Sequence, residues 1–158
     1  MEDKSSYIFL KQKRAYDLYK QGQFFEKVYA AVQKKHKYLV LKNKPGGKYK
    51  FSLAGGGIED GEDTGTAIKR ELAEELNIEV EVIKELGTFY MGVPYEFNGE
   101  SFISKYRCKV VLTRFISFNG ENKFGLEGEF DPAMGMAEIS KKEMLNNVYE
   151  FTCGGIKL

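Results

Sequence analysis

The sequence predicts an α/β (α+β) fold, a sandwich in which a mixed β-sheet lies between helices. Three observations lead there. Runs of β-forming residues predominate, most clearly the alternating Glu79-Val80-Glu81-Val82 and the stretch 101–116. Helical patterns are interspersed among them, over residues 7–21, between Asp63 and Asn77, and after Ser140. A hydrophobic content of 42% over 158 residues suits a single domain with a real core.

The elements follow in chain order. Residues 7–21 read as a loosely amphipathic helix with Ile8, Leu10, Ala15, Leu18 and Tyr19 available for packing. We assign residues 1–22 to a helical extension packed on a domain of residues 23–158. A specialised extension or a homodimer contact are the roles open to it. Val28 to Val32 and Tyr38 to Lys42 read as paired strands around the basic Lys34-Lys35-His36-Lys37 turn, a solvated turn on this reading. Lys44-Pro45-Gly46-Gly47 is a loop, and Tyr49 to Leu53 a short strand running into Gly55-Gly56-Gly57. Glu79 to Val82 and Leu86 to Gly92 read as two further strands. Asn98-Gly99 is a hairpin turn, and 101–116 holds a long strand that Phe118-Asn119-Gly120 breaks. Ser140-Lys141-Lys142-Glu143 is a capping box before a short final helix.

The helix between Asp63 and Asn77 carries the chemistry. At about 100° per residue, Glu75 lies about +40° and Glu74 about −60° from Glu71, so three carboxylates share one wedge. Ile68, Leu72 and Leu76 fall beside that wedge and are free to be buried. Arg70 sits one turn before Glu74, placed to pair with a carboxylate and hold it still. Asp63 or Thr64 can cap the helix start, and Asn77 tolerates the left-handed conformation common at a helix exit. The glycines before the helix let the backbone approach a ligand closely. Crowded carboxylates repel unless a cation sits among them. Hard dications take oxygen ligands, and Mg²⁺ binds a few carboxylates together with substrate phosphates. The segment is therefore a candidate magnesium site for diphosphate chemistry, with a spare carboxylate to take the proton of an attacking water.

Composition narrows the classes. No run of about 18 apolar residues is present, so no membrane span is expected. The first residues lack a secretory pattern. Cys108 and Cys153 form no CxxC pair and read as buried free thiols of a cytoplasmic protein. His36 is the sole histidine, which argues against a histidine triad or a zinc site. Net charge is +1, but residues 1–50 hold 13 Lys/Arg against 4 Asp/Glu and the remainder 11 against 19. A basic first third beside an acidic site draws in phosphorylated substrates. No RNA-reading motif accompanies the lysines, so a nucleic-acid partner is not expected.

The segment resembles the Nudix box, G-x5-E-x7-R-E-U-x-E-E-x-G-U, where U is a bulky aliphatic residue. Gly56, Glu62, Arg70, Glu71, Leu72, Glu74, Glu75 and Ile78 match position by position, and Asn77 replaces the last glycine. The resemblance implies a Nudix-like α/β/α sandwich and a hydrolase. Such an enzyme splits a diphosphate linkage in a nucleoside diphosphate joined to another group. The substrate classes include nucleotide sugars, ADP-ribose, dinucleoside polyphosphates and oxidised nucleoside triphosphates. It implies Mg²⁺ or Mn²⁺ held by Glu71, Glu74 and Glu75 with the carbonyl of Gly55, and Glu62 supporting the metal shell. Arg70 would orient a glutamate. The base would be a box glutamate, or Glu127 or Glu129 in the later Leu126-Glu127-Gly128-Glu129-Phe130 run. Gly56 and Gly57 would lie against substrate. Pro94 and Tyr95 stand 16 and 17 positions after Ile78, where two different substrate subfamilies carry a proline or a tyrosine, so they do not choose between them. Tyr95 is the candidate substrate contact. The competing class is a nucleotide-sensing domain that keeps the shape without turnover. A Nudix-like isomerase, with Cys108 as proton donor, is a weaker third.

Overall fold

The computed structural model describes residues 4–119 and 135–158. Its elements are α1 (Lys4–Lys20), β1 (Phe25–Lys34), β2 (Lys37–Lys42), β3 (Phe51–Ser52), β4 (Ala54–Gly57), α2 (Thr64–Leu76), β5 (Ile78–Phe97), β6 (Glu100–Phe118), β7 (Met136–Ile139), α3 (Lys141–Asn147) and α4 (Tyr149–Thr152). The strands form one mixed sheet ordered β3-β2-β1-β6-β5, with β4 paired to β1 and β7 paired to β2. Only β1 with β6 is parallel among the described strand pairs, Phe25 to Gln33 running beside Tyr106 to Arg114. The other edge of β1 is shared antiparallel by β4 and β2.

Helices cover both faces, as expected. Ile68, Leu72 and Leu76 of α2 are fully buried against Val28, Ala30, Val32 and Val111. On the other face, Met144, Val148, Phe151 and Ile156 pack with Ala31, Val40, Val110 and Phe89. Burying an aliphatic side chain of this kind contributes about 1.5–3 kcal/mol, so these two layers hold the sheet rigid beneath α2.

β5 is the main difference from the sequence reading. The two strands expected at 79–82 and 86–92 are one strand of 20 residues. Its register with β6 shifts between Glu79 and Val80, Val82 and Lys84, and Glu85 and Gly87. The first shift inserts Ile116 on β6, and the other two insert Ile83 and Leu86 on β5, where they break the two-residue alternation, so a continuous strand reads as separate pieces. The Asn98-Gly99 turn closes the hairpin, with Phe97 opposite Glu100. Lys34 is less simply solvated than expected. Its ammonium meets Glu138 at 2.6 Å and lies over the rings of Phe115 and Phe118.

α1 packs on the end of the β5–β6 hairpin. Ala15 is buried beside Phe97 and Phe102, with Tyr16 against both rings. Tyr16 Oη and Lys20 Nζ each donate to Glu100 at 2.9 Å. Leu10 stays 62% exposed, so it does not serve the packing expected of it. Cys108 is buried, but Cys153 is exposed rather than buried, and both are free. Burial pushes the Cys108 thiol up to about 12, which makes it a poor proton donor for isomerase chemistry. No helix among the described residues is long and apolar enough to cross a membrane.

Candidate active site

α2 is set by its ends and its apolar stripe. Asp63 caps the start, its carboxylate accepting the N–H of Thr66 at 2.7 Å. Asn77 ends the helix at φ 54° and ψ 43°, the left-handed exit expected of it, and its N–H donates to Ala73 O at 3.1 Å. With Ile68, Leu72 and Leu76 locked into the core, Glu71, Glu74 and Glu75 are fixed on the neighbouring side.

β4 lies close to this helix, and glycine is what permits it. A Cβ at Gly55 would stand 2.0 Å from Val28 O on the paired strand. A Cβ at Gly56 would stand 2.5 Å from Glu71 Oε2. The Glu71 carboxylate thus presses on the bare backbone of Gly56. The Gly55 N–H donates to Glu75 Oε2 at 3.2 Å.

Arg70 organises the carboxylates. It grips Glu62 with two N–H groups, Nε at 2.8 Å and Nη2 at 3.0 Å. Nη1 donates to Glu71 Oε1 at 2.9 Å and to Glu74 Oε2 at 3.2 Å, and Nη2 also reaches Gly57 O at 2.9 Å. The Arg70 guanidinium, helped by the Glu59 N–H, holds the Glu62 carboxyl down at about 2. The same carboxylates raise Arg70 further above its usual range, Glu62 contributing most. Sequence spacing placed Arg70 near one glutamate, and the structure gives it hydrogen bonds to three, with Glu62 as the two-pronged partner and Glu59 a further 3.9 Å ion pair.

A cavity of about 370 Å³ opens beside this cluster. Glu59, Gly57, Arg70, Glu71 and Glu74 line it together with Leu10, Lys11 and Arg14 of α1 and Phe25 and Lys27 of β1. The α1 and β1 residues were not singled out from the sequence as site residues, and Leu10 was read there only as a packing residue. Their signal was the excess of Lys and Arg in residues 1–50, which named a charge but no address. Tyr95 is not among the cavity-lining residues. Its hydroxyl meets that of Tyr106 at 2.8 Å, and it lines a shallow groove with Pro94, Phe102 and Ile103. Tyr106 in turn touches Phe25 and lies under Lys27, so Tyr95 stands one residue back from the cavity. Glu127 and Glu129 lie outside the described residues.

Among the described residues, no three Asp, Glu, His or Cys side chains converge tightly enough to hold a metal as they stand. The donor set nevertheless fits a hard dication in kind. It consists of glutamate oxygens beside the Gly55 backbone, and no His or Cys lines the cavity among the described residues. Glu74, with 41% of its side chain exposed, has room to turn from Arg70.

The NUDIX domain model matches residues 26–153. No curated protein matches the chain significantly. Among solved structures, a NUDIX hydrolase from Nitrosomonas europaea is similar at a TM-score of 0.55 and 21% identity, covering 79% of this chain and 78% of its own. A NUDIX-family hydrolase from Clostridium perfringens is similar at a TM-score of 0.53 and 18% identity, covering 81% and 90%. At such identities the structural likeness speaks for the fold, and the family model speaks for the rest. The box matches, the sandwich and the domain match agree, and the chain belongs to the Nudix hydrolase family.

Proposed function

We propose that the chain hydrolyses a diphosphate linkage in a nucleoside diphosphate joined to another group, with Mg²⁺ or Mn²⁺ as cofactor. The observation that carries this reading is the Arg70 fork. It draws Glu62, Glu71 and Glu74 together against the glycine backbone of β4, at the edge of a cavity of substrate size.

Glu71, Glu74 and Glu75, with the Gly55 carbonyl, would hold the metal. When bound, it neutralises phosphate charge and acidifies water. Glu62 anchors the guanidinium from behind, and the guanidinium restricts the rotamers of Glu71 and Glu74. Gly57 offers bare backbone at the cavity, where a phosphate can lie close. Water attacks phosphorus, a P–O bond forms, and the bond to the bridging oxygen breaks. A glutamate carboxylate takes the water proton, and the bridging oxygen leaves on the second phosphate. A box glutamate, Glu127 or Glu129 are the candidates for that base.

The decisive assay is metal-dependent release across a panel of nucleotide sugars, ADP-ribose, dinucleoside polyphosphates and oxidised nucleoside triphosphates, scored by product mass. Two phosphate-bearing products that require the metal support the reading. Tight nucleotide binding with no product at any metal concentration points instead to a nucleotide sensor. Glu74→Gln and Glu75→Gln are expected to leave the melting temperature within a few degrees and to lower turnover by at least about 100-fold. Wild-type turnover in both variants removes these residues from the metal set.

A further inference from the structure

We propose that α1 is part of the substrate site: Lys11 and Arg14, with Lys27 of β1, bind a phosphate group of the substrate. This rests on the diphosphate reading of the box and adds to it a set of phosphate contacts that lie partly outside the matched domain, which begins at residue 26.

The charge balance of the cavity motivates it. Its acidic lining is Glu59, Glu71 and Glu74, and a diphosphate brings further negative charge. Arg70 also lines the cavity, but its N–H groups already serve Glu62, Glu71, Glu74 and Gly57 O. Among the described residues, Lys11, Arg14 and Lys27 also line the cavity with positive charge. Lys11 and Arg14 are three residues apart on one helix, so they share a face.

Arg14 and Lys27 are held at the cavity by structure. Arg14 Nη2 donates to Ile58 O at 3.4 Å and stands 3.9 Å from Asp60 Oδ1, in the loop that enters α2. Its guanidinium lies 5.1 Å from the centre of the Phe25 ring. A guanidinium carries five N–H donors, so these contacts leave donors for a phosphate. Lys27 projects from the central strand, its ammonium 5.2 Å from the Tyr106 ring centre. The helix itself is pinned farther along by Ala15, Tyr16 and Lys20 on the hairpin end. Phe9 also packs on Phe97, so one face of α1 docks on the hairpin while Leu10, Lys11 and Arg14 line the cavity. Exposed Leu10 sits at the same cavity, giving an apolar contact beside the cations. A volume of about 370 Å³ lies within the range of about 300–1,000 Å³ that small-molecule sites occupy.

The test uses the full chain and two readouts. Inorganic pyrophosphate is titrated by calorimetry in millimolar magnesium, and KM and kcat are measured on the best substrate of the panel. Lys11→Ala with Arg14→Ala is expected to weaken pyrophosphate binding at least tenfold and to raise KM by a similar factor, with kcat within about threefold. Lys13→Ala, on the same helix but outside the cavity lining, is the control and leaves both unchanged. Arg14→Ala also removes the contacts to Ile58 and Phe25, so Lys11→Glu is measured alone. It leaves those contacts in place and is expected to weaken pyrophosphate binding as well. Wild-type pyrophosphate affinity in both variants overturns the proposal. Wild-type protein that binds pyrophosphate through Lys11 and Arg14 yet releases no product with any metal upholds the phosphate site and sinks the hydrolytic reading, so the two failures are distinguishable.

Discussion

Arg70 donates hydrogen bonds to three carboxylates and one backbone carbonyl, and only about a quarter of its side chain reaches solvent. Removing it takes from Glu62 and Glu71, both nearly covered, the guanidinium that they share. Arg70→Ala is expected to cost about 2–4 kcal/mol in urea unfolding. Arg70→Lys keeps the charge but cannot grip Glu62 with two parallel bonds, so it recovers only part of that loss. A lysine variant as stable as the wild type shows that charge alone matters there. Asn77 is the companion case at the helix exit. With its backbone left-handed, Asn77→Ala is expected to cost about 1–2 kcal/mol, while Asn77→Gly stays within about 0.5 kcal/mol, its easier backbone offsetting the lost side-chain bond to Asn119 O. Equal stabilities for the two variants count against a backbone origin. These residues were legible in the sequence because their chemistry is local. Arg70 and Glu74 are one turn apart, Asp63 caps its own helix, and Asn77 ends it. The part of the Arg70 arrangement that was not legible is Glu62 as its main partner, since that contact depends on how the entering loop folds back.

α1 is held to the hairpin through Glu100, which accepts from both Tyr16 and Lys20. Those bonds, the Lys20 bond foremost, hold the Glu100 carboxyl below its usual value, and the Glu100 bond raises Lys20 above its own. A depressed carboxylate contributes stability above its unfolded value and loses it as pH falls. A raised lysine contributes below its unfolded value and loses it as pH rises. The docking of α1 is therefore expected to be firmest between about pH 5 and pH 10 and to loosen on either side. Hydrogen exchange of the α1 amides checks this. Once the intrinsic exchange rate is divided out, faster α1 exchange at pH 4 than at pH 7 is the expected result, and Glu100→Gln should abolish the difference. The sequence showed that a helix stands at residues 7–21 but not where it docks, because Phe97 and Phe102 lie some 80 residues away and nothing local names them. β4 and β7 were missed for a related reason. β4 is three glycines and an alanine, and β7 has four residues, so neither offers a side-chain period to read. Each exists because a neighbouring strand pairs with it.

At the scale of the molecule, the basic first third and the acidic remainder meet at one cavity. The sequence shows the division, 13 Lys/Arg against 4 Asp/Glu over residues 1–50, but not the meeting place. Folding supplies it by laying α1 and β1 beside α2, so that Lys11, Arg14 and Lys27 line the same space as Glu71 and Glu74. The cations then attract an anionic substrate that the carboxylates alone would repel. Attraction of this kind is screened by salt, with a Debye length of about 30 Å at 0.01 M falling to about 10 Å at 0.1 M. KM is accordingly expected to rise several-fold between about 20 mM and 300 mM potassium chloride at saturating magnesium, with kcat little changed, because the step at phosphorus takes place after the charges have met. The Lys11→Ala, Arg14→Ala variant should start from a higher KM and show a shallower rise over the same range. A wild-type KM that is flat in salt, or a variant whose salt slope equals the wild type's, means that the basic third carries its charge for some other purpose than drawing substrate to this site.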